Sequence, residues 1–380
     1  MTCAADIPGR TRRRAAGAVP LAALAVLAAV LALALAPAAA AAPAPEAAPQ
    51  GTCRALLVGA MPGGPDFARR YRDWLLRFRA YLVEKAGVPA ANVAILSGDK
   101  DFKDAAVAGV ATAESVRKAL ADLAARSKPE DQVIVLLVGH GVVSDRIPTL
   151  VLPGPDLDAE QLAAALAAVP AKNQVVLNLS SASGAAVKAL AAKGRVVVAA
   201  TSPIEGNEPV FPEFFLRGLE SGRADGEGAP AAGAKDGCIT VLEAYNWATH
   251  QAALWVSRLR QLEGGQWRLD GKESVEIFEK LYTGGPFRLD SASDRGKPDE
   301  AVAIVPENGK ISEAWLARRV LSEHATLEDS GEEIGAAAVR DEGYEPLAGA
   351  KPGEPGCLAR RTVLGRAALL PAPADGSGAP

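Results

Sequence analysis

The apolar positions of the chain follow two alternating periods. Continuous apolar runs of strand length recur at 54–60 (RALLVGA), 92–97 (NVAILS), 132–139 (QVIVLLVG), 174–179 (QVVLNL) and 195–200 (RVVVAA). Between them the spacing turns helical. Phe67, Tyr71, Trp74, Leu75, Phe78 and Leu82 fall on one side of a helix over 66–86. Thr112 is placed to cap a helix running to Ala125, with Val116, Leu120 and Leu123 on one face. Asp158 opens an amphipathic helix to Ala168, a short helix follows over 184–192, and 211–221 also reads as helical. Strands apolar on both faces and alternating with helices predict an α/β fold with a mostly parallel central sheet.

Beyond residue 222 the pattern loosens. Residues 222–237 are rich in Gly, Ala and Asp and predict a loop, and 240–262 predicts a strong helix with Val241, Ala244, Trp247 and Ala248 on its apolar side. Gly, Asp and Pro punctuate 264–310, with a short helical stretch near 273–282. Another helix is expected over 311–324, where Ser312 can cap and Glu313 lies in the first turn. The tail 371–380 is Pro-, Ala- and Gly-rich, the composition of a disordered end.

The N-terminus has a different character. Arg10, Arg12, Arg13 and Arg14 precede an uncharged apolar run over 21–36, followed by a stretch of small residues. That order is the order of a secretory signal segment. The run is shorter than the roughly 20 residues a membrane-spanning helix needs, which favours cleavage over retention as an anchor. The organisation expected is a signal peptide over 1–42, a linker over 43–52, a folded domain over 53–262, a C-terminal extension over 263–370 and the tail. The mature protein is then secreted or periplasmic, touching membrane only through its signal segment. Cys53, Cys238 and Cys357 remain in it, so an oxidising compartment permits one disulfide and leaves a thiol over. The pairing stays open. A formal net charge of -4 and 5% aromatic residues argue against a nucleic-acid partner, which needs clustered cations and stacking surfaces.

Candidate chemistry concentrates at two strand ends. The chain has 3 histidines. His140 follows the apolar run of LLVGHG and so sits at the C-terminal end of a central strand, the edge where open α/β sheets gather ligands. Gly139 and Gly141 flank it and let backbone or substrate approach closely. The plain alternative is a loop histidine without a task. His250, on the late helix, reads as a surface or packing residue. The second place is NLSSASG over 178–184, where a serine at a strand-to-helix junction could be a nucleophile facing helix N–H groups. The plain alternative is a helix N-cap by Ser181 or Ser183.

From Arg54 to about Ala248 the chain resembles the caspase- and legumain-type cysteine peptidases, and the matching pieces occur in order. RALLVGA is similar to their first strand and VIVLLVGHG to the strand carrying the His-Gly of their catalytic dyad. TLVLPGPDLDAEQLAAAL is similar to the strand and helix that follow. VVLNLSSASG resembles the strand ending in their Cys-x-Ser-Gly, RVVVAATSPIEGNEPVFPEFFLRGL the next strand, substrate-side loop and helix, and DGCITVLEAYNWA the acidic loop and helix of bacterial members. SEHATLEDSGE and CLARRTVLG resemble segments of secreted bacterial relatives. The resemblance implies a caspase-like three-layer fold and a dyad of His140 and Ser181, with Gly141 beside it.

Serine at position 181, where those peptidases keep cysteine, changes the expectation. A thiol is readily ionised by a neighbouring imidazole, whereas a hydroxyl needs a well-oriented base and commonly a third group behind the imidazole. Asp145 and Asp156 are the carboxylates near His140 in sequence, and no motif places either. The expectation is therefore a non-proteolytic domain that binds or scaffolds a peptide or protein ligand, with a weak Ser181–His140 hydrolase as the alternative. A third possibility is a displaced nucleophile at Cys238. The resemblance also places Thr201, Ser202, Glu205 and Asn207 at the border of a substrate pocket, against a solvated loop as the plain reading. Asp236, Gly237, Ile239, Thr240 and Glu243 match the second half of an EF-hand-like loop, but Ala232 and Ala234 stand where two ligands would be. A turn with a helix cap by Thr240 or Asp236 is the preferred reading, and no metal or other cofactor is expected.

Overall fold

The structure is a computed structural model that describes residues 51–203, 206, 208–226, 235–261, 267–269, 287–289, 302–306, 324–329 and 358–370. The signal segment, most of the linker, the helical stretches near 273–282 and 311–323, Cys357 and the tail lie outside the described residues, as do Glu205, Asn207, Ala232 and Ala234. Among the described residues, no helix is long and apolar enough to cross a membrane.

The strands are β1 (Cys53–Gly59), β2 (Val93–Ser97), β3 (Val107–Val110), β4 (Gln132–Gly139), β5 (Gly141–Ser144), β6 (Ile147–Leu150), β7 (Leu157–Asp158), β8 (Asn173–Ser180), β9 (Arg195–Ala199), β10 (Leu259–Gln261), β11 (Trp267–Leu269), β12 (Phe287–Leu289), β13 (Val302–Pro306) and β14 (Thr326–Glu328). The helices are α1 (Pro65–Ala80), α2 (Ala113–Arg126), α3 (Ala159–Ala167), α4 (Val187–Leu190), α5 (Phe211–Ser221) and α6 (Val241–Arg258). The main sheet has 7 strands in the order β14-β9-β8-β4-β1-β2-β3. Every neighbouring pair in it is parallel except β9 with β14. The α/β architecture with a mostly parallel central sheet is thus present.

Period-two burial explains the layers. Leu57, Ile134, Leu136, Val138, Leu177 and Val198 point to one face, where they pack with α1, α5 and α6. Leu56, Val58, Val135, Leu137, Val176 and Val197 point to the other, against α2, α3 and α4. A central strand covered on both sides has to be largely apolar, as β4 is from Val133 to Gly139. Helix starts follow their caps. Thr112 accepts from the Ser115 N–H in a capping box and Asp158 accepts from the Gln161 N–H.

The structure adds a strand the pattern did not show, β3 beside β2, and departs from the expected elements in three further places. The last turn of the helix expected over 240–262 is strand instead, because Leu259–Gln261 pair antiparallel with Trp267–Leu269. A small sheet, β5-β6-β7, follows His140. It escapes a search for buried periodicity because Val142, Val143 and Ile147 are exposed. Parts of the expected C-terminal extension are also built into the main body. β14 lies against β9, and Val363 and Gly365 bond the side chain of Gln132 at the start of β4.

Candidate functional site

Register brings the two strand-end motifs together. β4 and β8 are adjacent, with Gly139 opposite Ser180, so His140 and Ser181 each lie one residue past the same pair. The flanking glycines are required by backbone. A Cβ at Gly141 would stand 2.2 Å from the Ser181 carbonyl oxygen, and one at Gly139, whose φ is +125°, would stand 2.5 Å from Ala60 Cβ. Their close approach is therefore to the protein's own chain.

Although neighbours in the fold, His140 and Ser181 turn to different surroundings. The His140 ring packs against α1, edge-on to Phe67 at 5.0 Å and to Tyr71 at 6.1 Å between centroids. Ser181 borders a cavity of about 20 Å3 on the opposite side of the sheet edge, lined by Leu150, Leu157, Ala159 and Leu162. Its hydroxyl is fully engaged there. It accepts from the Gly141 N–H at 2.9 Å and donates to the Gly141 carbonyl at 3.1 Å. The Ser181 N–H donates to the Gly139 carbonyl at 3.0 Å. The two N–H groups nearest the hydroxyl, which could steady a developing oxyanion, are thus both occupied.

The carboxylate behind His140 is one that sequence proximity does not reveal. Glu208, from the segment before α5, puts Oε2 at 3.3 Å from His140 Nδ1. That is ion-pair distance, although no hydrogen bond forms there and Oε2 has no hydrogen-bond partner. The other oxygen, Oε1, accepts from the Tyr71 hydroxyl at 2.6 Å. Burial first and the Glu208 carboxylate second push the Tyr71 phenol above its ordinary range, so it stays a donor. The expectation that His140 lacks a third group is corrected here. Asp156 instead accepts from the Leu152 N–H at 2.9 Å, and Asp145 lies in the exposed β5–β6 turn. No local pattern in the sequence shows Glu208, which reaches His140 from 68 positions away. Trp74 Nε1 and Arg77 Nη1 donate to the buried Glu213 carboxylate of α5, at 3.0 and 2.7 Å. This buried link between α1 and α5 keeps the Glu208 segment over His140.

Gly63 is the other partner that the sequence left as a plain turn residue. A Cβ there would lie 2.4 Å from His140 Nε2, so the imidazole sits directly on this turn. The same turn contributes Met61, Pro62 and Gly64 to a cleft of about 560 Å3, which Arg69, Arg72, Asp99 and Asp101 also line.

Ser183 and Ser181 do not cap the following helix, contrary to the plain alternative. Ser183 Oγ accepts from the Ala200 N–H at 3.0 Å, and the Gly184 N–H is taken by Thr201 Oγ1 at 3.0 Å. Ala182 between them holds a left-handed φ of 54°, a tight turn that costs a non-glycine residue about 1 kcal/mol. Thr201 is fully buried by this cross-link. It braces the 181–184 turn and does not border an open pocket, while Ser202 is half-buried.

The late acidic loop is closed by the protein's own donors. Glu243 accepts from the Thr240 N–H and hydroxyl, both at 2.8 Å, and from the Gly226 N–H at 3.0 Å. Thr240 Oγ1 accepts in turn from the Glu243 N–H at 3.2 Å, so Thr240 is the cap and the pair a capping box. The Asp225 carboxylate accepts from the N–H groups of Asp236 and Gly237. Cys53 and Cys238 are free thiols. Burial pushes the Cys53 thiol up to about 12, whereas Cys238 Sγ lies 3.2 Å from Arg366 Nη1, away from the strand-end pair.

Comparison with known proteins adds little. No family model matches the chain, and no curated protein matches it. Among solved structures, a structural-genomics target from Geobacter sulfurreducens is similar over 45% of this chain and 83% of its own, at 14% identity and a TM-score of 0.33. A likeness at that level bears on neither fold family nor function.

Proposed function

We propose that this chain is an exported, caspase/legumain-like domain that has given up proteolysis and acts as a binding or scaffold module for a peptide or protein ligand. One observation carries the reading. The Ser181 hydroxyl gives its proton to the Gly141 carbonyl and takes the Gly141 N–H, so that proton is not given to His140 and that N–H is not free for an oxyanion. A serine nucleophile needs the opposite arrangement, with its proton directed at the base and donors waiting beside it. The ordered resemblance along the sequence and the parallel β4–β8 pairing support the family reading. The cleft beside the Met61–Pro65 turn supplies room for a ligand.

A weak Ser181–His140 hydrolase is the second reading, and Glu208 is the observation that favours it. A carboxylate beside Nδ1 is the third group a serine mechanism uses to orient its imidazole. The experiment is hydrolysis of a peptide and an activated-ester panel by wild type and Ser181→Ala. Background turnover equal in the two supports the binding module. Turnover lost in Ser181→Ala replaces it with the hydrolase.

A further inference from the structure

We propose that Glu208 is the positioning residue of His140: it holds the imidazole proton on Nδ1, so that Nε2 is presented as a hydrogen-bond acceptor for a donor group of the ligand, of the class of a peptide N–H. The inference rests on the binding reading for the ligand, but its geometry is independent of Ser181. Glu208 is 13% exposed, and Oε1 is already bonded to the Tyr71 hydroxyl. Oε2 is buried and has no hydrogen-bond donor. Of the two tautomers, the one with its lone pair on Nδ1 sets that pair against Oε2 and leaves a buried carboxylate oxygen unmet. The one with its proton on Nδ1 satisfies the oxygen after a small rotation of ring or carboxylate. An unmet buried acceptor is costly enough to decide between tautomers that differ little otherwise.

The surroundings restrict that rotation. Phe67 and Tyr71 flank the ring, the Gly63 backbone lies against Nε2, and α5 is tied to α1 through Glu213, Trp74 and Arg77. Nε2 makes no hydrogen bond among the described residues, and the side chain is 30% exposed. An imidazole proton fixed on Nδ1 leaves the lone pair on Nε2, beside the Met61–Pro65 turn, as the acceptor. Such an acceptor takes an N–H or O–H and rejects a carbonyl or carboxylate.

The test is long-range 1H–15N NMR of the imidazoles in the full chain, followed to alkaline pH until the 15N shifts stop changing and so report neutral rings. The chain has 3 histidines, so His140→Ala assigns the signal and the others serve as fold controls. The expected result is a proton on Nδ1 in wild type and its transfer towards Nε2 in Glu208→Gln, with the other histidines unmoved. Tyr71→Phe, which removes only the donor to Glu208 Oε1, leaves the carboxylate against Nδ1 and keeps the proton there. A wild-type proton on Nε2, or a tautomer unchanged in Glu208→Gln, overturns the proposal. If Glu208→Gln disturbs all the histidine signals, Glu208→Ala decides, and a proton still on Nδ1 there overturns it. The binding reading fails separately, through hydrolysis that depends on Ser181.

Discussion

Ser181→Ala separates a structural hydroxyl from a catalytic one by stability alone. The substitution deletes the bond from the Gly141 N–H at 2.9 Å and the bond to the Gly141 carbonyl at 3.1 Å. Each hydrogen bond contributes about 0.5–1.5 kcal/mol net, and a buried N–H left without a partner costs about 1–3 kcal/mol. Ser181 is 4% exposed, so solvent does not replace the hydroxyl directly. The adjoining cavity of about 20 Å3 matters, however. A void above about 10–15 Å3 can hold one water, and a water there would recover part of the loss. The expected cost is therefore about 1–3 kcal/mol, with about 1 kcal/mol if a water enters. Urea unfolding of wild type and variant, with unchanged slope, reads it as a lower midpoint. In a thermal scan, the middle of that range is a drop of about 4–8 °C. A nucleophile held ready for substrate behaves differently, since its hydroxyl is not part of the fold's bonding. Equal or higher stability in Ser181→Ala would refute the structural role and return the serine to catalysis.

Other expectations follow from the same geometry. Gly63→Ala places a methyl group 2.4 Å from His140 Nε2, and the ring, packed on Phe67 and Tyr71, must give way, so it should shift the His140 NMR signal and cost about 1–3 kcal/mol. Gly64→Ala, whose nearest neighbour is Phe67 at 4.0 Å, is the silent control. Burial pushes the Asp131 carboxyl up, but the N–H groups of Thr52 and Lys128 together with Arg54 outweigh it and hold the group below its ordinary value. A depressed folded value means stability present above about pH 3.9 and lost as pH falls through the folded value. Asp131→Asn should flatten that acid limb in urea midpoints taken between about pH 5 and 2. Calcium should leave the melting temperature unchanged, because the Glu243 oxygens are already bonded to Thr240 and Gly226. A calcium-dependent rise lost in Glu243→Gln would show that the loop opens to bind the ion.

Much of the fold is legible in one dimension because its signals are local. A strand buried on both faces shows itself as an unbroken apolar run, as 132–139 does. A capped amphipathic helix shows itself by Thr112 or Asp158 followed by helical spacing. Those signals also put His140 and Ser181 at strand ends, and parallel order then puts both at one edge of the sheet. The short strands of the 264–310 region and the exposed β5–β6 ribbon carry too few buried positions to stand out in the same way. What each site residue faces was decided only in three dimensions. Glu208 meets His140 across a gap of 68 positions in the chain, because α1 and α5 cover the same sheet face and share the buried Glu213. Ser181 turns to Gly141 because the two strand ends leave its hydroxyl between a free N–H and a free carbonyl. Side-chain direction at a tight turn depends on backbone angles and on neighbours distant in sequence, and neither is written into a run of residue types.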